Sequence, residues 1–374
     1  MQFRAFWEWR ISGLLPGQSG VEAYLGFRPR LARQAQASRL PLQKVIVGSL
    51  AHVVPRGWRG GSIRDEQEGL AMAVRAVAGR NWNSTFDRWS GGPSASEQEK
   101  CANAERAVRA AISASNALGQ HEISVFTQGS YRNRTNVRLE SDVDVCVCLK
   151  DTYSTHYDSG LSDADVGNVP ATYQHADFKN DVEKALKAHF GTEAVTRGKK
   201  AFDVHENSYR IDADVVPALE YRWYFKDEGR VVWHTGTAIF PDGGIRIVNW
   251  PDQHYTNGVR KNDQTNRHFK RVVRILKRLR NEMDEAGIQA AGPIASYLIE
   301  CLVWNVPNVG LGRDYYDEVR YAVAHLFNNT LEEEKVKEWG EVNELKYLFR
   351  PSQPWTREKA HAFLSAAWDY VGFE

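Results

Sequence analysis

Apolar residues recur every three or four positions over residues 95–118, which is the spacing of one buried helix face. Ser94 and Ser96 are each followed three residues later by a glutamate, the pattern of a capping box at a helix start. The sequence therefore predicts a long amphipathic helix that begins at one of these two serines.

Strand-like runs follow this helix, with β-branched residues that alternate or cluster at residues 121–127 and 141–149. The residues between these runs, 129–140, are polar and rich in turn formers. After a second helical pattern at residues 173–190, strand character returns at residues 200–206, 209–225 and 231–234. Strands and helices mixed in this order predict an α+β fold class.

Helical spacing dominates from residue 264 almost to the end of the chain. The predicted helices span residues 264–286, 294–305, 315–330, part of 331–347, and 357–370. We therefore expect a sheet-containing domain at residues 72–250 and a bundle of helices at residues 251–374. Internal repeats and low-complexity tracts are absent from the sequence.

Residues 1–71 show neither the helical nor the strand period of apolar residues. They carry ten Lys and Arg against five Asp and Glu. One interpretation is a basic arm that binds nucleic acid or a membrane. The other is a loosely structured extension, or a start codon assigned too early with Met72 as the true start. We favour the second interpretation, because arginines scattered among Trp and Pro form no basic helix or lipid signal.

The composition is that of a globular protein, with 42% hydrophobic and 25% charged residues, so disorder is not its main feature. With 48 Lys and Arg against 47 Asp and Glu, a bulk polyanion-binding protein is not expected. The longest apolar run near the start, residues 45–54, is far shorter than the roughly 20 residues of a membrane helix, so no membrane association is expected. Charged residues interrupt residues 1–25, which argues against a signal peptide.

The cysteines show no C-x-x-C spacing and so indicate neither a zinc site nor a disulfide framework. A reducing, cytoplasmic location is therefore expected. Cys146 and Cys148 would lie on one strand face, and we interpret them as small buried apolar residues. His254 and His268 are interpreted as ordinary polar residues.

An acidic pair, Asp142 and Asp144, lies in the predicted strand at residues 141–149. Because alternate residues of a strand share a face, both carboxylates project to one side and the neighbouring valines to the other. Adjacent carboxylates repel unless a cation lies between them, and oxygen ligands suit Mg²⁺ or Mn²⁺. The pair therefore suggests a divalent-metal site, although alone it is equally typical of the solvent face of an edge strand.

Two further features favour the metal site over the edge strand. Gly129 and Ser130 follow a strand and offer a backbone that approaches phosphate closely together with a hydroxyl donor. A third acidic strand occurs at residues 210–218, where Asp212 and Asp214 precede V-V-P-A. Three carboxylates on neighbouring strands predict a two-metal site that activates a hydroxyl and neutralises a triphosphate leaving group.

These motifs resemble the DNA polymerase β-like nucleotidyltransferases and, within them, the cGAS/DncV-like group, the bacterial CD-NTases. The resemblance rests on the Gly-Ser turn, the S-D-V-D-V pair, the D-V-V-P-A strand, and matches such as I-V-N-W-P at residues 247–251. It covers roughly residues 80–374. It implies a mixed sheet with a long spine helix, followed by a C-terminal helical bundle that closes a nucleotide cleft.

The resemblance also implies which carboxylates hold metal. It places the third one at Asp214, directly before V-V-P, with Asp212 of the same strand face as the alternative. Asp142, Asp144 and Asp214 would then bind two Mg²⁺ ions, with Mn²⁺ as an alternative ion.

Phosphate contacts follow from the same resemblance. Family members place a lysine of the helix at residues 264–286 on the donor triphosphate, which is Lys277 here, and a serine at the start of the next helix, which is Ser296. A lysine suits this role as a compact point charge. Gly129 and Ser130 would complete the phosphate site.

The function implied by the resemblance is synthesis of a cyclic di- or trinucleotide from nucleoside triphosphates, either ATP alone or ATP with GTP, UTP or CTP. The product would be a second messenger in bacterial antiviral (CBASS) defence and would activate a separate effector protein. A nucleic-acid activator is not expected, because four cysteines do not build the zinc insertion of the DNA-sensing animal relatives.

Two other functions remain open on the sequence. The first is another polymerase β-like transferase, which would modify an antibiotic, a protein or an RNA end and would share the Gly-Ser turn and the D-x-D chemistry. The second is a non-catalytic nucleotide sensor of the same fold. The D-V-V-P-A strand argues against the first, and three intact carboxylates argue against the second.

Overall fold

The computed structural model describes residues 77–137, 142–205 and 212–374. The predicted extension at residues 1–71 lies outside these ranges, as do the first residues of the strand predicted at 209–225. Within the described ranges a mixed sheet with covering helices is followed by a helical half. The predicted α+β fold class is therefore confirmed.

The described strands form one sheet, in the order β1-β2-β5-β4-β3, and β6 and β7 continue it alongside the second half of β5. Among the strands of the described residues, β2 and β5 pair in parallel and the other pairs are antiparallel. The strands are β1 (Ile123–Thr127), β2 (Val143–Tyr157), β3 (Val195–Arg197), β4 (Phe202–Val204), β5 (Ala213–Asp227), β6 (Arg230–Ile239) and β7 (Ile247–Asn249).

Helices precede, interrupt and follow the sheet. The first half has α1 (Trp82–Ser90), α2 (Ala95–Ser113), α3 (Gly129–Asn133), α4 (Asp163–Val166) and α5 (His175–Phe190). The second half has α6 (Pro251–Gln264), α7 (His268–Glu285), α8 (Ser296–Trp304), α9 (Tyr315–Thr330), α10 (Glu333–Val336) and α11 (Arg357–Val371). Short 3₁₀ helices occur at Leu118–Gln120, Thr192–Ala194 and Asn308–Gly310.

The long helix α2 begins at Ser94, one of the two predicted caps. The Ser94 hydroxyl accepts a hydrogen bond from the backbone N–H of Glu97, and the Glu97 carboxylate accepts one from the Ser94 N–H. The buried face of α2, with that of α5, covers the valines of β2. Each buried aliphatic side chain contributes about 1.5–3 kcal/mol to stability, and this core fixes which face of β2 points away from the helices.

A second core lies within the helical half, where α7, α8, α9 and α11 pack together. The helix α1 also contributes to it through Trp82 and Phe86, although α1 precedes the sheet in sequence. The sheet ends at Asn249 and α6 starts at Pro251. The domain boundary near residue 250 stays a prediction, and α1 packs across it.

Three predicted helices differ from the structure. The helix predicted over residues 95–118 ends at Ser113, with Ala114 as its C-cap. The helix predicted over 264–286 begins only at His268, because Asn266 and Arg267 adopt φ angles of 47° and 68° that break it from α6. The helix predicted over part of 331–347 is confined to α10. Beyond α10 the Asn343 side chain accepts hydrogen bonds from backbone N–H groups, which favours a turn over a helix.

The helix α6 has no counterpart among the predicted elements. Its buried residues are mostly polar and are His254, Asn257, Gly258, Lys261 and Asn262. Apolar periodicity cannot reveal such a face. The remaining signal is Pro251 at its first position, where a missing N–H has no cost.

Candidate active site

Two carboxylates face each other across the parallel strand pair at the centre of the sheet. Asp144 of β2 lies in register with Asp214 of β5, and Asp142 immediately precedes β2. Val143 and Val145 are fully buried on the opposite face of β2. Because alternate residues of a strand face opposite ways, their burial directs Asp144 out of the core.

The acidic row continues onto the neighbouring strand. Asp203 of β4 pairs in register with Asp214, so Asp144, Asp214 and Asp203 occupy equivalent positions on three adjacent strands. Asp212 lies just before β5, and its backbone carbonyl accepts a hydrogen bond from the Val143 N–H. The register therefore puts Asp214, and not Asp212, opposite Asp144.

Crowding raises the pKa values of two of these carboxyl groups. Burial, together with the charges of Asp214 and Asp142, raises the pKa of Asp144 to about 7. Burial, together with Asp142, Asp203 and a further aspartate, raises the pKa of Asp214 to about 6. Full ionisation of this cluster near neutral pH therefore needs a cation to offset the repulsion.

This donor set fits a divalent cation, since every donor is a carboxylate oxygen, the ligand that Mg²⁺ prefers. In the described part of the chain, the group of three metal-ligating side chains whose ligand atoms all lie within 4.8 Å of one another is Asp203, His205 and Asp212. It adjoins the carboxylate pair through Asp203 and includes the alternative third carboxylate. Acidic groups thus extend across this whole edge of the sheet.

Gly129 opens α3 and borders the Asp144 side chain. Its φ of 67° lies in the left-handed region, and a β-carbon at this position would overlap the Oδ2 atom of Asp144. The Gln128 N–H donates to the Asp144 carbonyl at 2.9 Å, which ties the turn to β2. Ser130 follows and is half-buried. Gly129 therefore lies beside the Asp144 carboxylate, and Ser130 is the next residue of the same turn.

Lys277 lies on α7 and is only 1% exposed. Its Nζ atom is 3.9 Å from the Oε2 of Glu300 on α8. Glu300 also accepts a hydrogen bond from the Thr135 hydroxyl, and the Thr135 N–H donates to the carbonyl of Ser130. The structure therefore links Lys277 to the Gly-Ser turn through two intervening residues.

Ser296 is the first residue of α8, and Ala295 occupies the N-cap position. The Ser296 hydroxyl accepts a hydrogen bond from the Arg280 guanidinium at 2.8 Å. Arg280 lies on α7, three residues beyond Lys277. The two predicted phosphate ligands of the helical half thus lie on the packed pair α7 and α8.

Sequence reasoning missed Glu300, although the sequence carries a signal for it. Glu300 is a single acidic residue within the otherwise apolar helix S-Y-L-I-E-C-L-V-W. A charge on a helix that is apolar all round must be buried and paired. His254 supplies one partner, with its Nε2 atom 2.8 Å from Glu300.

The cysteines and histidines fall into two classes. Cys146 and Cys148 are buried beside Val216 and Ala218, in agreement with their interpretation as small apolar residues. His254 and His268 are not ordinary polar residues, because each pairs with a buried glutamate. His268 lies 2.6 Å from Glu318, and Glu318 is fully buried. The patterns around these histidines gave no hint of the distant acidic partner.

A cavity of about 270 Å³ lies on the same face of the sheet as Asp144, four residues further along β2 at Cys148. Arg132 of α3 and Asp252 of α6 form an ion pair at its rim, with 2.5 Å between their side chains. Thr237 lines it and is 3% exposed, and its hydroxyl has no hydrogen-bond partner among the described residues. The sheet face therefore offers a recess next to the junction of the two halves.

The helices of the described residues include none that combines the length and the apolar character needed to cross a membrane. Residues 256–372 match the sequence profile of the cGAS/DncV-like nucleotidyltransferase C-terminal helical domain. This match takes in the segment from α6 to α11, which contains Lys277, Ser296 and Glu300.

Two curated relatives are similar over the sheet as well as the helices. A cyclic dipyrimidine nucleotide synthase CdnE from Legionella pneumophila is 47% identical over 294 residues, which are 78% of this chain and 98% of the relative. A cyclic dipyrimidine nucleotide synthase CdnE from Cecembia lonarensis is 42% identical over 71% of this chain and 90% of the relative.

A solved structure has the same architecture. The CdnE c-UMP-AMP synthase from Rhodothermus marinus, determined with Apcpp and Upnpp, is 32% identical and superimposes with a TM-score of 0.67. The superposition covers 78% of this chain and 97% of that chain. The arrangement of sheet and helices is therefore shared with a protein that binds two nucleotide analogues.

Proposed function

Because the chain belongs to the cGAS/DncV-like nucleotidyltransferases, we propose that it joins two pyrimidine nucleoside triphosphates into a cyclic dinucleotide. That it is a nucleotidyltransferase of the cyclic dinucleotide synthase type follows from its relatives. The choice of pyrimidines is supported by two relatives named for cyclic dipyrimidine products. Uridine and cytidine triphosphates are the substrates that we propose.

One observation carries the proposed chemistry: Asp144 and Asp214 face each other in register, with Gly129 against the Asp144 carboxylate. Nucleotidyl transfer needs carboxylates that hold cations next to a surface that accepts phosphate. A turn without a side chain beside the carboxylate leaves room for a triphosphate to approach it.

The carboxylates would share the metal between them. Two Mg²⁺ ions, with Mn²⁺ as a substitute, would lower the pKa of the attacking hydroxyl and neutralise the leaving pyrophosphate. Asp142, Asp144 and Asp214 are the residues that we propose would hold these ions. The raised pKa values of Asp144 and Asp214 support this assignment, because such a cluster gains most from a bound cation.

The phosphate ligands would come from both halves of the protein. We assign the backbone of Gly129 and the hydroxyl of Ser130 to the triphosphate from the sheet side. We assign Lys277 and Ser296 to the triphosphate from the helical side. A buried ammonium is a strong phosphate ligand because little water competes with the anion.

The reaction consists of two equivalent transfers. A ribose hydroxyl of one nucleotide attacks the α-phosphate of the other, an O–P bond forms, and pyrophosphate leaves. The second transfer closes the ring between the remaining ribose hydroxyl and the remaining α-phosphate. Each transfer releases one proton from the attacking hydroxyl and one pyrophosphate.

The proposed setting is CBASS antiviral defence in the bacterial cytoplasm, where the cyclic product would switch on a separate effector protein. Four free and buried cysteines are consistent with a reducing compartment. We propose that no nucleic-acid activator is required. Protein treated with nuclease should therefore keep its activity.

The deciding experiment is incubation of nuclease-treated protein with all four ribonucleoside triphosphates and Mg²⁺, followed by mass spectrometry. We expect phosphatase-resistant cyclic products that contain uridine or cytidine, formed only when a pyrimidine triphosphate is present. An Asp144→Asn variant is the control and should form none of them.

Other outcomes would refute the proposal in distinguishable ways. Cyclic products built from purines alone would keep the enzyme class and overturn the pyrimidine assignment. Transfer to an added antibiotic, protein or RNA acceptor, without any cyclic product, would show another polymerase β-like transferase instead.

A further inference from the structure

Glu300 is a carboxylate buried in the core of the helical half, with 3% of its surface exposed. Its neighbours on α8 are almost all apolar. Burying an ionised carboxylate costs several kcal/mol unless charged and hydrogen-bonding partners offset the loss of water. The partners of Glu300 therefore indicate what its charge does.

Three partners from three segments surround this carboxylate. His254 of α6 contacts Oε1 at 2.8 Å, and the Thr135 hydroxyl donates to Oε2 at 2.7 Å. Lys277 of α7 lies 3.9 Å from Oε2. Glu300 therefore joins the segment that follows α3 to the helices α6, α7 and α8.

Glu300 stays ionised in spite of its burial. Burial alone would raise its pKa, but His254, followed by Lys277 and Thr135, lowers the pKa to about 2. A fixed negative charge therefore lies next to the Lys277 ammonium in the core of the helical half.

The geometry at Lys277 leaves its ammonium ready for another anion. The 3.9 Å separation from Glu300 is an ion pair that is too long for a hydrogen bond. Within the described ranges the Lys277 ammonium donates no hydrogen bond to protein. A lysine that is 1% exposed and has free N–H donors is a strong candidate for binding a phosphate.

Thr135 connects Glu300 to the phosphate turn. Its backbone N–H donates to the Ser130 carbonyl at 2.9 Å, which closes the end of α3. Arg134, between α3 and Thr135, has a φ of 56°, and its carbonyl accepts a hydrogen bond from Arg274 of α7 at 2.6 Å. The end of α3 is thus held to the helical half from two sides.

We propose that Glu300 is a positioning residue, which holds the Lys277 ammonium and the Thr135 hydroxyl so that Lys277 and Ser130 reach the same triphosphate. This inference rests on the proposed role of Lys277 in triphosphate binding. Glu300 itself does not touch the substrate; it acts through Lys277 and Thr135.

The test compares Glu300→Gln with a matched variant, Glu318→Gln. Glu318 is another fully buried glutamate of the helical half, and it pairs with His268 in place of His254. We expect Glu300→Gln to raise the KM for triphosphates and the dissociation constant for Mg²⁺-tripolyphosphate about tenfold, the effect of one lost charge-assisted contact. Glu318→Gln should change the melting temperature alone.

The separate effects on KM and kcat give a readout that a merely structural role would not move. Glu300→Gln should raise the KM for triphosphates and change kcat little, because Glu300 holds residues that bind the triphosphate and does not contact the reacting atoms. Wild-type protein and Glu318→Gln should have equal KM values. Equal tripolyphosphate affinities of the two variants would overturn the inference.

Two further variants separate the possible failures. If Lys277→Met leaves tripolyphosphate binding unchanged, the proposed phosphate role of Lys277 is wrong. If Lys277→Met weakens tripolyphosphate binding but Glu300→Gln does not, only the positioning role of Glu300 is refuted. If Glu300→Gln does not fold, Thr135→Val carries the test, because it removes one hydrogen bond and keeps the charge. It should raise the KM with little change in kcat, and an unchanged KM would overturn the proposal.

Discussion

Gly129 lies so close to Asp144 that a β-carbon at position 129 would overlap the Oδ2 atom of the carboxylate. Its φ of 67° adds a conformational cost for any other residue. We therefore expect Gly129→Ala to reduce activity at least about a hundredfold, since small displacements of reacting groups have effects of that size. Initial rates of pyrophosphate release measure the effect.

A matched substitution at another glycine separates the effect of the close contact with Asp144 from the effect of backbone strain at a positive φ. Gly160 also has a positive φ, of 82°, but open space surrounds the position of its missing β-carbon. Gly160→Ala should lower the melting temperature to a similar degree and leave the rate unchanged. A fully active Gly129→Ala protein would show that the turn does not border the reacting groups.

The Asp144 carboxylate should lower the free energy of unfolding, although the proposed reaction needs it. Burial, Asp214 and Asp142 raise its pKa to about 7, so the folded state binds a proton that the unfolded state has already released above pH 4. Stability then falls as the pH rises from about 4 to 7. We expect Asp144→Asn to be inactive yet about 1–3 kcal/mol more stable at pH 8 without metal, after allowance for solvent screening.

Urea unfolding in EDTA at pH 8 and at pH 5 checks this prediction. The advantage of Asp144→Asn should shrink at pH 5, where the wild-type carboxyl is protonated. Added Mg²⁺ should stabilise the wild-type protein at pH 8 and have less effect on the variant. A variant that is less stable than wild type at pH 8 would contradict the repulsion that we describe.

The strand face that each site residue of β2 occupies was predictable, because it depends only on the alternation of neighbouring residues. Strand alternation suffices to put the valines of β2 in the core and Asp144 on the other face. The register of Asp144 with Asp214 depends on a parallel pairing between distant segments, which no local pattern specifies. The partners of Glu300 were not predictable for the same reason, since His254 and Thr135 are far away in the sequence.

Helices were predictable where their buried face is apolar. The apolar spacing and the Ser94 cap define α2 well. The helix α6 escaped because Lys261 and Asn257 are among its buried residues, and their burial depends on partners such as the Val306 and Val342 carbonyls. Sequence patterns record the polarity of a side chain and not the acceptor that it meets.

Arg274 joins three segments and should matter for stability. Its guanidinium donates to the Ser90 carbonyl at 2.7 Å and to the Arg134 carbonyl at 2.6 Å. A lysine has one ammonium and cannot make both contacts in this forked geometry. We expect Arg274→Lys to cost about 1–3 kcal/mol of unfolding free energy, through a buried acceptor left without its donor.

The control for Arg274 is Arg320→Lys, since the Arg320 guanidinium donates a hydrogen bond to the Glu374 carbonyl in an exposed position. Chemical denaturation of both variants measures the difference. Equal stabilities of the two variants would show that the link from α1 through α7 to the end of α3 contributes little.

Residues 1–71 should be dispensable for catalysis. The relative from Legionella pneumophila aligns over 98% of its own length while using 78% of this chain, so its fold needs no counterpart to much of the remainder. We expect a protein that starts at Met72 to keep the rate and the melting temperature of the full chain. A loss of product without a change in melting temperature would instead favour a functional basic arm.

The register of the sheet also predicts which carboxylate is the third catalytic one. Asp214 lies opposite Asp144, whereas Asp212 precedes β5 and groups with Asp203 and His205. We expect Asp214→Asn to lower kcat about a thousandfold or more, the scale of a lost metal ligand in phosphoryl transfer. Asp212→Asn should have a much smaller effect, because it leaves the facing pair intact. Rates measured over a series of Mg²⁺ concentrations distinguish lost chemistry from weakened metal binding, and a greater loss for Asp212→Asn than for Asp214→Asn would move the metal to the neighbouring group.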